Sequence, residues 1–244
     1  MLNQEEKIQY QRQLIINNWD EESQEKLKQA RIFIAGTGGL GSAVSLYCAS
    51  AGIGSITICD NDSVELSNLN RQILHGHKDI NKPKVDSAGE SLRDVNPYIT
   101  ITAINETITE HNCKELIAGS DLVIDCLDNF KTRFILNKAS IDTSIPFIHG
   151  GVENFQGQIS FFHPAETPCL ACIFPEPDAS KKQVPIAGAT AGFIGSLQSL
   201  EAIKYLTGIA EPLKNKILFA DCISMQFKTI TVNKNKNCRV CGNL

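Results

Sequence analysis

The sequence lacks any apolar run long enough to cross a membrane, and its first ten residues are polar, without the apolar core of a signal peptide. A spanning protein and a secreted one are both excluded as expectations, and the expected compartment is the cytoplasm. No strong charge excess is present either: 23 basic against 27 acidic residues leave a net charge of −4. Nucleic acid is therefore not an expected partner. There is no internal repeat and no domain-sized linker. None of the five histidines stands in a recognisable nucleophile–base motif. No cysteine lies between Ile173 and Asp221, although the chain has nine. In a reducing compartment, that many cysteines point to metal binding or plain burial rather than to disulfides.

What the chain does have is a nucleotide-loop signature near its start. Ile32–Ala35 is a short apolar run that reads as a buried strand. Gly36, Gly38, Gly39 and Gly41 follow, with Gly36, Gly38 and Gly41 in G-x-G-x-x-G spacing. From Leu40 onward, Val44, Leu46, Tyr47, Ala49 and Ala51 recur at helical spacing. Strand, glycine turn and helix together let the backbone approach a phosphate, and the free N–H groups of the helix start point at it. A tight turn with no ligand is the plain alternative. A second strand, Ser55–Cys59, ends at Asp60, the position of an acid that holds a ribose hydroxyl in Rossmann-type sites.

Ahead of these lie two expected helices, 4–17 with Arg12 on it and 20–30 with Asp20 as N-cap. Arg12 alone could equally be a solvated charge. Residues 60–72 carry Asp62, Ser67, Asn68, Asn70, Arg71 and Gln72 among Val64, Leu66 and Leu69. That mixture predicts an ordered loop whose polar groups have partners. A helix from about 81 to 96 has Pro83 in its first turn. Lys84 sits there too, against the helix dipole unless an anion is near; a surface lysine is the alternative. Residues 99–104 alternate as a strand. A buried strand from Ser120 ends in Asp125, Asp128 and Asn129. In a parallel sheet, Asp60, Asp125 and Asp128 would then share the edge that holds the glycine loop. Asp128 is the candidate Mg²⁺ carboxylate. Asp125 reads as a cap or a hydrogen-bonded structural acid. A helix at 130–142, strands at 145–148 and 157–162 (the latter with an antiparallel pairing open to it), a mobile proline-rich loop at 175–185, a buried helix at 191–207 ended by Gly208, and strands near 216–220 and 225–232 complete the reading. The fold class is α/β: a Rossmann-like, mostly parallel twisted sheet with helices on both faces and antiparallel closing strands.

Cys169, Cys172, Cys238 and Cys241 form two C-x-x-C pairs, the ligand set of a closed, structural Zn²⁺ site that would clip the C-terminal segment to the domain. A redox pair is the alternative, but such a motif does not come doubled. Cys48, Cys59, Cys113, Cys126 and Cys222 read as buried apolar residues.

With these pieces assembled, the chain resembles the ThiF/MoeB/HesA family, relatives of the ubiquitin-activating enzymes, over nearly its whole length. The marks are Tyr10 to Gln13, the Gly36–Gly41 loop, Asp60 to Gln72, Lys82 to Lys84, Asp125 to Asn129, and the two cysteine pairs. The resemblance implies a single adenylation domain, 1–244. Its N-terminal helices would be 1–30, its nucleotide-binding core 31–150 and its substrate side with mobile loop and zinc clip 151–244. It implies adenylation, with Mg-ATP, of the C-terminal glycine of a small ubiquitin-like sulfur carrier ending in Gly-Gly, as in thiamine or molybdopterin synthesis. In that picture Gly39 and its neighbours approach ATP, Asp60 holds the ribose, and Asn68, Arg71 and Lys84 bind phosphates. Asp128 would hold Mg²⁺, and Arg12 would reach across a homodimer. Family members often carry a cysteine in the loop before the 191–207 helix. Here it is missing, which raises a second reading, adenylation of a peptide or small-molecule carboxylate in another cofactor or natural-product pathway. An NAD-dependent oxidoreductase would share the glycine loop and Asp60 but would give Arg71, Lys84 and Asp128 no task. A non-catalytic nucleotide-binding module is the remaining alternative.

Overall fold

The computed structural model describes residues 1–175 and 184–242. In chain order the helices are α1 (Gln4–Gln9), α2 (Gln11–Leu14), α3 (Glu21–Gln29), α4 (Gly39–Ala51), α5 (Lys84–Val95), α6 (Cys113–Leu116), α7 (Phe130–Thr143), α8 (Leu170–Ile173) and α9 (Gly188–Thr207). The strands are β1 (Arg31–Ala35), β2 (Ser55–Cys59), β3 (Thr100–Ile104), β4 (Leu122–Asp125), β5 (Phe147–Glu153), β6 (Gln156–Phe162), β7 (Lys216–Asp221) and β8 (Gln226–Thr231).

All eight strands form one sheet in the order β3-β2-β1-β4-β5-β6-β7-β8. The first five are parallel, and β6, β7 and β8 join antiparallel. β1 is the central apolar run, and its alternate residues face opposite layers. Ile32 and Ile34 pack into a core shared with α4, α5 and α9, whereas Phe33 and Ala35 pack into a second core with α6, α7 and α8. Burial on both faces explains why the strand is continuously apolar. The chain order turns at β1, with β2 and β3 on one side and β4 and β5 on the other. That turn opens a crevice at the carboxyl edge, where open α/β sheets bind ligands.

Some expected boundaries move. The single helix at 4–17 is two short helices that break at Tyr10. Its ring is buried and its hydroxyl accepts from Asn96 Nδ2 at 2.8 Å. Anchoring that ring to the core bends the chain where a straight helix would carry it away. Pro83 is the N-cap of α5, so Lys84 is its first helical residue. α9 starts three residues earlier than the apolar pattern alone indicates. β5 runs on through Gly150 and Gly151 to Glu153. Asp20 caps α3 as expected, accepting from Ser23 N at 2.9 Å. Most of the loop expected at 175–185 lies outside the described residues.

Candidate functional site

The site is built at the carboxyl edge of β1, β2 and β4. β1 stops at Ala35, level with Cys59 and with Asp125. The turn that follows is tight. Gly36 has φ +93°, and a Cβ there would lie 2.8 Å from the Cys126 carbonyl oxygen. A Cβ on Gly41 would lie 2.0 Å from the Gly36 oxygen. Only glycine satisfies both positions, the first for conformation and the second for close approach. α4 then begins at Gly39 with no side chain capping its N-terminus, so its first N–H groups face the crevice.

Thr37, fully buried, locks the turn to β2. Its N–H and its hydroxyl donate to Asp60 Oδ2 at 2.8 and 3.1 Å, while Asp60 Oδ1 accepts from Asp62 N at 2.9 Å. Asp60 is half-buried at the carboxyl end of β2. Gln72 is 4 % exposed, and its Oε1 has no partner. Its Nε2 is 3.7 Å from where a Cβ on Gly38 would sit, so the amide faces the glycine turn. Arg71 lies over Gly39, whose Cβ would be 3.5 Å from Arg71 Cγ. Its Nη1 donates to the Ser67 carbonyl at 3.0 Å and to Asn70 Oδ1 at 2.9 Å. Asn68 is buried, accepting from Glu65 N at 3.1 Å, and Ser67 is exposed, donating to Glu65. Lys84 is buried at the start of α5, where its Nζ pairs with Asp62 Oδ2 at 2.8 Å. Asp62 itself is largely exposed, so this pair can be exchanged for a ligand without exposing a core. Asp128 is exposed on the turn after β4, held between Leu127 and Asn129, the residue that caps α7 by accepting from Thr132 N.

Asp125 serves beneath that turn. It is fully buried, accepts from Leu127 N at 3.0 Å and from His149 Nδ1 at 2.7 Å, and faces Arg133. Arg133 in turn donates to the Leu127 and Gly150 carbonyls. Both backbone polar groups of Leu127, one residue before Asp128, are therefore held from below.

Arg12 is the candidate that the fold does not bring to this crevice. It is exposed on α2, whose neighbouring Gln13 donates to the Ala51 carbonyl at the far end of α4. Thirteen helical residues separate that end from the glycine turn, roughly 18 Å at about 1.5 Å per residue.

The cysteine pairs do meet. Cys169 Sγ is 3.7 Å from Cys238 Sγ, Cys172 Sγ is 3.4 Å from Cys241 Sγ, and all four lie within 4.8 Å of one another. Four thiolates about 2.3 Å from one Zn²⁺ stand roughly 3.8 Å apart, so the donor set and its spacing fit that ion. Burial raises the Cys238 thiol, but N–H groups of Cys241 and Val240 and hydrogen bonds from the neighbouring sulfurs outweigh it and hold the thiol down to about 7. Burial pushes Cys169 up to about 11. Of the remaining cysteines, Cys48, Cys59, Cys113 and Cys126 are buried, whereas Cys222 is partly exposed, against expectation.

Sequence reasoning missed Thr37, His75, the two partners of Asp125 (Arg133 and His149), and the start of α9. A Cβ on Gly188 would lie 2.4 Å from the Asn70 carbonyl, and Ala191 Cβ sits 3.1 Å from where a Gly39 Cβ would be. The glycines that open α9 were the available signal.

A doubly wound sheet whose glycine turn, strand-end acid and basic groups share one edge defines a nucleotide-binding α/β enzyme fold. The chain belongs to the ThiF family, which matches it over residues 10–240. It is 40% identical over 245 residues to the molybdopterin-synthase adenylyltransferase of Escherichia coli (strain K12), covering 99% of this chain and 98% of that relative. It is 36% identical to the sulfur carrier protein adenylyltransferase of Thermus thermophilus, covering 98% of this chain and 92% of the relative. Among solved structures, E. coli MccB with ATP superimposes with a TM-score of 0.84 at 26% identity, over 91% of this chain and 70% of that one. MccB with MccA-N7isoASN gives 0.88 at 25%, over 97% and 75%.

Proposed function

We propose that this chain is one adenylation domain, 1–244, that transfers AMP from ATP to the C-terminal glycine carboxylate of a small ubiquitin-like sulfur carrier, releasing pyrophosphate. The observation that carries this reading is end-to-end kinship with named adenylyltransferases, in a chain whose glycine turn, Asp60, Arg71, Lys84 and Asp128 lie at one sheet edge. A carboxylate is ionised at neutral pH, so its attack on the α-phosphate needs no general base. It needs alignment and positive charge on the phosphates. The glycine turn and the start of α4 accept the phosphates, and Asp60 receives the ribose. Arg71 and Lys84 neutralise the pyrophosphate as it leaves, with Lys84 released from Asp62, and the Asn68 amide donates a hydrogen bond to it. Ser67, Asn70 and Gln72 line the same loop. Asp128 would hold Mg²⁺, which would neutralise phosphate charge. Cys169, Cys172, Cys238 and Cys241 would hold a structural Zn²⁺.

The distance of Arg12 from its own crevice supports a homodimer in which it completes the partner's site. The absence of any helix long and apolar enough to cross a membrane, among the described residues, agrees with a cytoplasmic enzyme. ATP–pyrophosphate exchange tests the reading. It should depend on a carrier ending in Gly-Gly, and exchange driven equally by an unrelated peptide would overturn it. A second reading, adenylation of a peptide or small-molecule carboxylate, is favoured by the missing cysteine between Ile173 and Asp221 and by the likeness to MccB.

A further inference from the structure

His75 belongs to none of the groups assigned above, yet it stands between two of them. It is 8 % exposed, on the segment that leads from Gln72 to α5. Its Nε2 lies 3.2 Å from the Thr37 carbonyl of the glycine turn, and its Nδ1 lies 2.9 Å from Ser87 Oγ on α5. Ser87 is one turn beyond Lys84 on that helix and is itself buried. A carbonyl can only accept, so Nε2 carries the proton. In the neutral ring Nδ1 is then an acceptor, and the one Ser87 hydroxyl proton is shared between it and the Asp79 carboxylate.

We propose that His75 is a positioning residue for nucleotide binding. It acts as a neutral strut that fixes the glycine turn relative to the Lys84 end of α5. The inference rests on the reading that ATP binds at this turn. Thr37 is held from two directions: Asp60 takes its N–H and hydroxyl, and His75 takes its carbonyl. Asp60 and the Gly36 N–H tie the turn to β2, and toward α5 they act only indirectly, through Asp62, whose exposed carboxylate holds Lys84. The imidazole supplies the direct restraint, because its ring is rigid and its two nitrogens are engaged by the turn and by α5. Burial, aided by the nearby Lys84 charge, lowers the pKa of the ring; the Thr37 carbonyl, Asp79 and Asp60 act the other way. The ring therefore stays in the one protonation state that can donate to Thr37 and accept from Ser87 together.

The test is ATP affinity of the full-length enzyme by titration calorimetry. His75→Phe keeps the ring volume and removes both hydrogen bonds. It should weaken ATP binding by roughly tenfold, the scale of one to two hydrogen bonds lost from a buried site. In steady state, KM for ATP should rise with kcat little changed. His75→Gln, which can still reach Thr37 with an amide N–H, should recover most of the loss. Ser87→Ala should weaken binding by a smaller factor, and should add little to His75→Phe. Nitrogen-15 imidazole shifts should report the Nε2–H tautomer at neutral pH. A role confined to folding would lower thermal stability while leaving the ATP affinity of the folded protein unchanged, and that result would overturn the proposal. So would an Nδ1–H tautomer. If His75→Phe does not fold, Ser87→Ala and the tautomer decide. Wild-type enzyme that bound no ATP would overturn the nucleotide reading itself. Normal wild-type binding with an indifferent His75→Phe variant would remove only this inference.

Discussion

Asp125 Oδ2 and His149 Nδ1 are 2.7 Å apart, and neither side chain reaches solvent. Arg133 Nε lies 3.3 Å from the same oxygen, an ion-pair distance. Gln158 Nε2 lies 3.2 Å from His149 Nε2, which requires that nitrogen to accept. The histidine is therefore neutral, and Arg133 alone balances Asp125. Asp125→Asn should leave the guanidinium buried without a counter-charge, at a cost of about 3–5 kcal/mol. Urea denaturation measures it, and a loss under about 1 kcal/mol would show that water enters the pair.

The same histidine predicts a pH dependence. Burial, the largest influence, lowers the pKa of His149 below 6.5, with Asp125 opposing. In the unfolded chain the ring regains its ordinary value and binds the proton more readily. Stability from the neutral ring is thus complete above pH 6.5 and is lost as pH falls below it. His75 shifts in the same direction. Each can contribute up to about 1.4 kcal/mol per pH unit. His149→Gln should flatten the fall in urea midpoint between about pH 6.5 and about pH 5. An unchanged slope would assign the effect elsewhere.

Zinc at the tetrad should be structural. Cys169→Ser should reduce metal content and melting temperature together, and a chelator should reproduce the effect on the wild type. Full metal occupancy in a Cys169→Ser/Cys238→Ser double variant would exclude these ligands.

Arg12→Ala and Asp128→Ala should each abolish pyrophosphate exchange. Mixing the two should restore part of it, because a hybrid dimer contains one site with both residues intact. No recovery despite demonstrated subunit exchange would place Arg12 outside the reaction.

The product should remain an acyl-adenylate. Burial pushes the thiols of Cys48 and Cys59 up to about 12 and Cys113 up to about 11. Burial also raises the Cys126 thiol well above its ordinary value. None offers a thiolate near neutral pH. Non-reducing intact-mass analysis with Mg-ATP and substrate should show no covalent adduct. An adduct removed by dithiothreitol and absent in Cys222→Ala would make that partly exposed thiol the acceptor.

What could be read from the sequence was whatever short spacing encodes. The Gly36–Gly41 turn, Asp60 at the end of β2 and the doubled C-x-x-C all depend on neighbours a few residues away. Asp125 could be read only as some structural acid. Its partner His149 is 24 residues later and becomes adjacent because β4 and β5 pair in that register. His75 was invisible for a similar reason: its two partners precede and follow it by 38 and 12 residues. The break at Tyr10 was hidden because helical periodicity continues across it, and the contacts that anchor its ring, against Gly52 and to Asn96, are distant in sequence. The start of α9 was hidden because its opening glycines and small residues carry no apolar period, yet these let it press against Asn70 and Gly39.

The two halves of the cysteine tetrad are 69 residues apart, with α9, β7 and β8 between them. Closing so long a loop is entropically unfavourable until those elements are in place. Once the last strands have paired, the four ligands stand together and a metal ion has no loop left to close. Neither C-x-x-C pair by itself supplies more than half a coordination sphere. Metal capture would therefore be a late folding event. The rate at which an optical cobalt or zinc signal develops during refolding would time the docking of the closing strands rather than the formation of the nucleotide crevice.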